Sequence, residues 1–402
     1  MCKIEVAFLK CIDYLWFMIR RTIESQLKAL EGKYPVLSLT GPRQSGKTTL
    51  VKSVFPDYHY TNLESVDIRL FATEDPRGFL QAFGDRLIID EAQHIPELFS
   101  YIQVLVDADP KKRFILTGSQ NFLLLERISQ SLAGRVALFY LLPFSIEELY
   151  EGGLTPVNYT TYLINGGYPP IYDKALDPSV WLQNYITTYI ERDVRTLLNV
   201  INLTDFQRFV GMCAGRIGQL INFNSIATEL SVSYHTVQSW LSILEASFIT
   251  FRLLPYHSNY NKRLVKSSKL YFNDTGLACA LLGIRNEEQL MTHYLKGGLF
   301  ENMVISELRK YHLNHNTMGH LYFWRDSNGN EVDCITEIGA SVRAIEIKAG
   351  STVHPDFFKP LLWFRQLSGI SDAYLVYGGD ESYHRSGVEL LSWKQGYFAV
   401  RG

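Results

Sequence analysis

An eight-residue loop at 41–48 limits the fold of this chain more than any other segment. Its sequence, GPRQSGKT, fills every position of the phosphate-binding loop pattern. An apolar run at 35–40 precedes the loop and a helical pattern at 49–54 follows it. This context predicts a buried parallel strand, a loop whose backbone N–H groups face phosphates, and a helix that begins near Lys47.

The same pattern assigns roles to the residues of the loop. Lys47 would reach the outer phosphates of a nucleoside triphosphate and assist its reaction, and the Thr48 hydroxyl would hold a magnesium ion. The backbone and side chains of the whole loop, with the residue after it, are expected to contact the nucleotide. These residues are Gly41, Pro42, Arg43, Gln44, Ser45, Gly46, Lys47, Thr48 and Thr49.

A second element is an apolar strand that ends in two acids, with the sequence RLIIDEAQ at 86–93. Asp90 would hold the magnesium ion through water, and Glu91 would orient or deprotonate the attacking water. The alternative interpretation is a strand followed by an acidic turn without a functional role. The phosphate loop upstream favours the functional interpretation over this one. A third strand at 113–119 offers three alternatives for the residue that senses the γ-phosphate: Thr117, Ser119 or Gln120.

The composition is that of an ordinary globular protein with two or three domains. The 402 residues are 47% apolar and 20% charged, and the net charge of −2 leaves any nucleic-acid contact to a local patch. Five scattered cysteines without metal-ligand spacing favour reduced thiols in the cytoplasm. Charges interrupt the apolar stretch at 4–19, so neither a membrane span nor a signal peptide is expected. We expect Met18 to be the true start and residues 1–17 to be an upstream extension.

Short apolar strands alternate with helical stretches up to about residue 142, a pattern typical of a parallel α/β sheet. The expected strands are 36–40, 58–62, 86–90, 113–117 and 136–141. Helical periodicity then dominates 145–216, and strands return after about residue 270. The sequence therefore predicts an α/β protein with a central helical part.

Residues 222–255 have the pattern of a winged helix–turn–helix. A short helix at 225–230, a turn with Ser233 as N-cap and a second helix at 234–246 precede a strand at 248–253. The second helix would expose four side chains that could meet DNA: Tyr234, His235, Gln238 and Ser239. Because that helix carries no Lys or Arg, a role as a packing module is the favoured alternative.

A second group of acids with a lysine lies on two expected strands of a C-terminal hairpin. Glu346 and Lys348 are two residues apart and project from one face, while Asp333 lies on the preceding strand. These groups could converge on one magnesium ion that activates water for attack on a phosphodiester, and Glu301 on the preceding helix could add a ligand. A solvated charged face is the alternative, but the apolar neighbours of Glu346 indicate a buried strand, where unpaired charges are costly.

Several segments together resemble a prokaryotic AAA+-type P-loop ATPase family with a C-terminal domain of uncharacterised function. The ATPase core is similar in GPRQSGKTT, LIIDEAQ, LTGSQ and SLAGR, and later parts are similar in IERDVRTLLNV, YFNDTGLACALL and GGLFENMVISEL. The resemblance covers nearly all of the chain after Met18. It implies ATP as the nucleotide, and it gives Arg135 two open roles: an arginine finger toward a neighbouring subunit's nucleotide or a structural salt bridge.

The resemblance also implies a restriction-endonuclease-like fold at the C-terminus. Its acid and lysine positions would be Glu301, Asp333, Glu346 and Lys348, with Val332 where the nuclease signature has Pro. We therefore expect four parts: a P-loop AAA+-type ATPase core at 18–142, a helical region at 143–221, a winged helix–turn–helix at 222–260 and a nuclease-like domain at 261–402.

Three functions remain open at this point. The leading one is an ATP- and Mg²⁺-dependent ATPase whose nucleotide cycle controls a nuclease-like domain acting on DNA or RNA. The alternative is an ATP-dependent switch or binding protein whose C-terminal domain is catalytically inactive and binds a protein partner or a second copy of the chain. A weaker third is a transcriptional regulator that uses residues 222–255 to bind DNA.

Overall fold

The computed structural model describes residues 19–119, 131–190, 203–256, 267–317, 319–339 and 341–402. Four features expected from the sequence lie outside these ranges. They are the extension at 1–17, the start at Met18, Gln120 and residues 191–200 of the stretch IERDVRTLLNV.

Five parallel strands form the first sheet, in the order β2-β3-β4-β1-β5. They are β1 (Val36–Thr40), β2 (His59–Asn62), β3 (Arg86–Asp90), β4 (Arg113–Gly118) and β5 (Val136–Tyr140). The central strand β1 pairs Val36 with Phe114 on one side and with Val136 on the other, and all five of its residues are buried. The parallel sheet predicted from the alternating apolar runs is confirmed.

Helices cover both faces of this sheet. They are α1 (Glu24–Leu30), α2 (Lys47–Val54), α3 (Val66–Glu74), α4 (Pro76–Ala82) and α5 (Leu98–Ala108). On one face, α1 and α2 pack Leu27, Leu50 and Val51 against the apolar side chains of β1. On the other face, α4 and α5 bury their aromatic residues against Leu87 and Leu116. The resulting three-layer arrangement leaves the carboxyl ends of the strands open as an edge.

The strand order decides which side chains meet at that edge. Strand β4 lies between β1 and β3, so the ends of these three strands are neighbours although β4 comes later in the chain. The loop after β1, the acids at the end of β3 and the small polar residues at the end of β4 are thus drawn together. Ligands of open parallel sheets bind at this kind of crossing point.

A helical region follows the sheet. Its helices are α6 (Ile146–Glu151), α7 (Tyr159–Asn165), α8 (Pro169–Asp173), α9 (Pro178–Tyr185), α10 (Leu203–Ala214), α11 (Phe223–Leu230) and α12 (Tyr234–Ala246), with a π-helical turn at Ile186–Ile190. The Ser233 hydroxyl accepts a hydrogen bond from the backbone N–H of Thr236, which confirms the N-cap that starts α12. Helices α11 and α12 are joined by a tight turn, and a strand follows them.

An eight-stranded mixed sheet forms the rest of the fold, in the order β12-β13-β11-β10-β9-β8-β6-β7. Its strands are β6 (Thr250–Pro255), β7 (Lys269–Phe272), β8 (His320–Arg325), β9 (Glu331–Ile338), β10 (Ser341–Lys348), β11 (Asp372–Tyr377), β12 (Tyr383–Arg385) and β13 (Val388–Ser392). Strand β6 pairs in parallel with β8, at Leu254 with Tyr322. The sheet therefore joins strands on both sides of residues 260 and 261, where a domain boundary was expected.

Four helices accompany this sheet: α13 (Thr275–Leu281), α14 (Glu287–Thr292), α15 (Lys296–Asn314) and α16 (Lys359–Ser368). Short 3₁₀ helices lie at Ala92–His94, Pro355–Phe358 and Trp393–Val400. The long helix α15 is largely buried and packs against β7, β10 and the helix at 393–400. Its apolar residues belong to one continuous core that contains Ile19 and buried residues from Phe144 to Val400. Within the described ranges, no helix has both the length and the apolar character needed to cross a membrane.

Candidate functional site

The loop between β1 and α2 depends on glycine at two positions. Gly46 has a φ of 92°, in the left-handed region that favours glycine. A Cβ atom placed on Gly41 would lie 2.1 Å from the carbonyl oxygen of Leu141, so any side chain there would displace the backbone. Helix α2 has no side-chain cap at its first turn, which leaves its leading N–H groups for a ligand.

Lys47 lies folded back over this loop. Its side chain is buried, and Nζ donates to the carbonyl oxygens of Gly41 at 2.9 Å and Pro42 at 2.8 Å. Burial lowers the pKa of Lys47 from its ordinary value to about 8, although Glu91 and Asp90 oppose the shift. The ammonium therefore lies next to the acidic ends of the neighbouring strands, where a phosphate group would stabilise its charge.

Asp90 is the centre of a buried hydrogen-bond group. One carboxylate oxygen accepts from the Thr48 hydroxyl at 2.6 Å and from the Tyr60 hydroxyl at 2.8 Å, and the other accepts from the Thr117 hydroxyl. Asp90 is 3% exposed, so these donors compensate for its lost hydration. The pairing of Asp90 and Thr48 gathers oxygen ligands of the type that Mg²⁺ prefers.

Glu91 has an unusual backbone. Its φ of 53° and ψ of 44° place a non-glycine residue in the left-handed region, a conformation that costs free energy and is often found at functional sites. Its carboxylate accepts hydrogen bonds from the Ser119 hydroxyl at 3.0 Å and from the side-chain amide of Gln93. Of the three residues suggested as a sensor, Thr117 thus contacts Asp90 and Ser119 contacts Glu91, while Gln120 lies outside the described residues.

The remaining loop residues make contacts that anchor the loop. Arg43 lies 3.6 Å from Glu64, and Gln44 has a φ of 62°. Ser45 is fully buried, and its carbonyl oxygen accepts a hydrogen bond from Arg21 at 2.9 Å. Thr49, on the first turn of α2, lines a small cavity with Arg21.

Sequence reasoning missed two residues that contact this site, Arg21 and Tyr60. Arg21 is buried; it also donates to Glu148 at 3.0 Å and to the carbonyl oxygen of Leu142 at 2.7 Å. Glu148 and Leu142 lie more than a hundred residues from Arg21 along the chain, so no local sequence pattern indicates these contacts. Tyr60 lies on β2, next to β3, and only the strand pairing reveals its contact with Asp90.

Arg135, immediately before β5, forms an ion pair within its own chain. Its guanidinium donates two hydrogen bonds to Asp107 on α5, at 2.6 and 2.9 Å, and a third to the carbonyl oxygen of Ala133. Of the two roles left open for Arg135, this contact is the structural salt bridge. The role as an arginine finger stays a prediction.

The second group of acids lies on the hairpin of β9 and β10. Lys348 Nζ is 2.5 Å from Glu346 Oε1 and 3.5 Å from Asp333 Oδ2, and the backbone N–H of Ile347 donates to the same Asp333 oxygen at 2.8 Å. These three side chains line an open pocket of about 510 Å³ with Lys359 and Trp363. The structure thus brings Asp333, Glu346 and Lys348 together, as their spacing predicts.

Glu346 is the buried member of this group. It is 3% exposed, and its Oε2 atom has no hydrogen-bond partner among the described residues. Burial raises the pKa of Glu346 well above its ordinary value, and Asp333 adds to the shift while Lys348 opposes it. A buried carboxylate oxygen without a donor is costly, and a cation would relieve that cost.

Glu301 makes different contacts from those the sequence suggested. Its Oε1 atom accepts from Lys269 at 3.0 Å and from the Tyr271 hydroxyl at 2.5 Å, both on β7. Burial raises its pKa, with a further contribution from Asp333. In the described part of the chain, no three or more His, Cys, Asp or Glu side chains are grouped so that they could hold a metal ion. The role of Glu301 as a metal ligand beside Asp333 and Glu346 stays a prediction.

Helix α12 exposes the four side chains named for DNA contact, Tyr234, His235, Gln238 and Ser239. Gln238 donates to the Tyr234 hydroxyl at 3.2 Å, so part of this polar surface is satisfied within the helix. Strands β6 and β7 follow as an antiparallel pair. DNA binding by this region stays a prediction.

The parallel sheet, the loop at 41–48 and the contact of Thr48 with Asp90 define a P-loop nucleotide-binding domain. A model of an AAA domain matches residues 33–150. Models of two domains of unknown function, DUF8612 and DUF4143, match residues 157–288 and 296–395.

Comparison with known proteins identifies the family. The uncharacterized proteins Rv2008c of Mycobacterium tuberculosis and Mb2031c of Mycobacterium bovis are each 33% identical to the chain over 339 residues, which is 83% of this chain and 74% of theirs. The chain belongs to the same protein family as these two mycobacterial proteins. An uncharacterized protein of Haemophilus influenzae is 23% identical over 282 residues, covering 61% of this chain and 68% of its own length. Among solved structures, the Walker-type ATPase PABY2304 of Pyrococcus abyssi matches 66% of this chain and 99% of its own at 15% identity, with a TM-score of 0.44.

Proposed function

We propose that the N-terminal domain binds ATP with Mg²⁺ and hydrolyses it, and that the nucleotide cycle controls the C-terminal domain. The observation that carries this proposal is the 2.6 Å contact between Thr48 and Asp90, directly beside Lys47. The contact supplies a hydroxyl and a carboxylate oxygen at the first turn of α2, a donor set that fits Mg²⁺. The metal would supply charge neutralisation at the outer phosphates.

The residues around the loop have distinct tasks in this proposal. Lys47 exchanges its two carbonyl acceptors, on Gly41 and Pro42, for phosphate oxygens, which are stronger partners for an ammonium group. Glu91 orients a water molecule or accepts its proton, and the hydrogen bond from Ser119 fixes the carboxylate for that task. Asp90 accepts the hydrogen bond from the Thr48 hydroxyl and so holds the Thr48 side chain in place.

Buried polar contacts support control of the C-terminal part by the nucleotide. Arg21 joins the carbonyl oxygen of Ser45, in the loop, to Glu148 on α6. The segment that leads into α6 is in turn held by α15: Glu307 accepts from the backbone N–H of Ile146 at 2.7 Å, and Lys310 donates to the carbonyl oxygen of Phe144 at 2.9 Å. Helix α15 also carries Glu301. A shift of the loop would therefore act on α15 through buried groups.

An ATPase assay on matched variants tests the first half of this proposal. Lys47→Ala should lose nucleotide binding or lower hydrolysis by at least about 100-fold, because a buried charge on the phosphates is removed. Lys28→Ala, which removes an exposed lysine on α1, should hydrolyse ATP at the wild-type rate. Equal activity of wild type and Lys47→Ala would overturn the assignment.

A second candidate function is favoured by one observation: in the described part of the chain, the Glu346 Oε2 atom has no hydrogen-bond partner in the pocket of Asp333 and Lys348. We propose that Asp333 and Glu346 hold a divalent cation and that Lys348 orients the water that attacks a phosphodiester of DNA or RNA. The two carboxylates and the open pocket fit a hard cation with space for a substrate oxygen. The cation would supply Lewis-acid activation of that water.

A nicking assay with Mg²⁺ or Mn²⁺ tests the second candidate. Glu346→Ala should abolish cleavage of DNA or RNA and spare ATP hydrolysis, because the two sites use different residues. Glu389→Ala, which removes an exposed acid from β13 of the same sheet, should cleave like wild type. A wild-type protein that hydrolyses ATP but never cuts nucleic acid would instead support an ATP-dependent switch with an inactive C-terminal domain.

A further inference from the structure

Lys269 enters the C-terminal group of acids from a strand outside the hairpin of β9 and β10. It is 2% exposed, and its Nζ atom lies 3.0 Å from Glu301 Oε1 and 2.5 Å from Glu331 Oε1. Glu331, at the start of β9, lines the same pocket as Asp333 and Glu346. A buried lysine thus bridges two carboxylates at the edge of the candidate metal site.

The backbone around Lys269 is held on two sides. Strand β7 pairs with β6, which places Lys269 opposite Leu253. On its other side Lys269 forms a bridge with Leu220, and the N–H of Gly218 donates to the carbonyl oxygen of Leu270 at 2.8 Å. Because the backbone is paired on both sides and the side chain is buried, the ammonium group of Lys269 is held in one position.

The charge of Lys269 is stable in this environment. Burial by itself lowers its pKa, but Glu301 and the two other nearby carboxylates outweigh that effect and raise the pKa above its ordinary value. The Tyr271 hydroxyl is a second donor to Glu301. Arg325, on β8, lies 3.0 Å from the other oxygen of Glu331 at the more exposed rim. Glu301 and Glu331 therefore already have positively charged or hydrogen-bonding partners.

We propose that Lys269 is the resident cation of this site and leaves room for a single divalent cation, at Asp333 and Glu346. Sites that hold two metal ions share carboxylates between ions about 3.5–4 Å apart. Here the ammonium group occupies Glu301 and Glu331, and its charge opposes entry of a second divalent ion. Lys269 is a positioning residue in this view, and Glu301 is its partner rather than a ligand of the metal. The inference rests on the second candidate function.

The pairing of the charged groups agrees with one ion. The four carboxylates of Glu301, Glu331, Asp333 and Glu346 face two lysines, Lys269 and Lys348, each within 3.5 Å of two of them. Of these carboxylates, Glu346 keeps one buried oxygen, Oε2, without a hydrogen-bond partner among the described residues, and this oxygen offers a position for one divalent ion.

A Mn²⁺ titration of the full chain without nucleotide tests this inference. The number of bound ions is measured from the loss of the electron paramagnetic resonance signal of free Mn²⁺. Ions bound by wild type but not by Glu346→Gln belong to the C-terminal site, so the difference removes any contribution of the phosphate loop. We expect a difference of one ion. Glu301→Gln should keep that ion with an affinity within about threefold of wild type, because Glu301 is not a ligand.

Variants of Lys269 supply the second measurement. Lys269→Met keeps the length of the side chain without its charge and should bind one additional Mn²⁺, whereas Lys269→Arg should keep the wild-type count. An affinity that falls tenfold or more in Glu301→Gln would overturn the inference even if Lys269→Met does not fold. If Lys269→Met folds and binds the same number of Mn²⁺ ions as wild type, the inference is also overturned. If wild type and Glu346→Gln bind equal numbers of ions, the metal site of the second candidate function is itself wrong, and the inference falls with it.

Discussion

Thr48 donates its hydroxyl hydrogen to Asp90 across 2.6 Å, although the two residues lie on different elements and 42 positions apart in the chain. The contact exists because β4 lies between β1 and β3 and draws the ends of all three strands to one edge. In the proposed function this pair holds magnesium, whereas Lys47 binds the phosphates. The two steps can therefore be tested with different variants.

Replacement of Thr48 should therefore affect the nucleotide only when magnesium is present. Thr48→Val keeps the branched shape and removes the hydroxyl, so the affinity for Mg·ATP should fall by at least about tenfold while the affinity for ATP in EDTA changes little. Thr48→Ser, which keeps the hydroxyl, is the matched control. Nucleotide titrations with and without Mg²⁺ measure both. Equal losses under the two conditions would contradict a role of Thr48 in holding the metal.

Replacement of Glu91 should separate binding from hydrolysis. Glu91→Gln keeps the size of the side chain but cannot accept a proton, so hydrolysis should fall on the order of 100-fold with nearly unchanged affinity for ATP. Glu97→Gln removes a nearby exposed acid and should behave like wild type. Steady-state hydrolysis and equilibrium binding of ATP provide the two readings. A loss confined to affinity would show that Glu91 has a binding role instead.

Binding of ATP should take up protons near pH 8. The pKa of Lys47 lies at about 8 in the free protein because the side chain is buried, and phosphate groups favour its charged form. The pKa therefore rises on binding, and at pH 8 about half a proton should enter per nucleotide, falling toward zero by pH 6. Calorimetric titrations in two buffers with different ionisation enthalpies measure the uptake.

Lys47→Arg is the control for this effect, because a guanidinium group stays charged throughout the range and takes up no proton. An uptake of the same size in Lys47→Arg would assign it to another group.

Loss of Arg21 should destabilise the protein and weaken the nucleotide site together. Arg21→Ala leaves the buried Glu148 carboxylate without its ionic partner and with hydrogen bonds from two backbone N–H groups, which should lower the free energy of unfolding by about 3–5 kcal/mol. The carbonyl oxygen of Ser45 also loses its donor, so ATP affinity should fall. Arg20→Ala, which removes the neighbouring and largely exposed arginine, should leave both unchanged. Urea unfolding measures the stability of the two variants, and ATP titration measures their affinity. Equal losses of stability and affinity in Arg21→Ala and Arg20→Ala would refute the assignment.

The sequence was informative where a local pattern carries the structure. The loop at 41–48 and the apolar runs around it predicted the parallel sheet, and the spacing of Glu346 and Lys348 predicted that both side chains meet Asp333. The helical periodicity over 145–216 predicts regular helix at 178–190, where the structure has α9 followed by a π-helical turn at Ile186–Ile190. The periodicity of apolar residues over a few turns does not show where the backbone hydrogen bonds change from the α-helical to the π-helical pattern.

Contacts between distant parts of the chain could not be predicted in this way. Arg21 meets Glu148 across 127 positions, and Lys269 meets Glu301 across 32, without any motif that joins them. Both lysine and arginine are mostly surface residues, so a single sequence gives no reason to expect either one buried. Pairing of β6 with β8 was missed for the same reason, since the order of strands in a sheet is a property of the whole chain.

The parallel pairing of β6 with β8 has a consequence for synthesis of the protein on the ribosome. The strand at 250–255 can pair with β8 only after residues beyond 320 have emerged from the ribosome. The central part of the chain therefore reaches its final structure only when the C-terminal part has been synthesised. Until then the edge of β6 that pairs with β8 stays open, and such an edge is prone to pairing with other chains. Fragments cut near residue 260 would keep that open edge permanently, and we expect expression of the whole chain, not of its parts, to yield folded material.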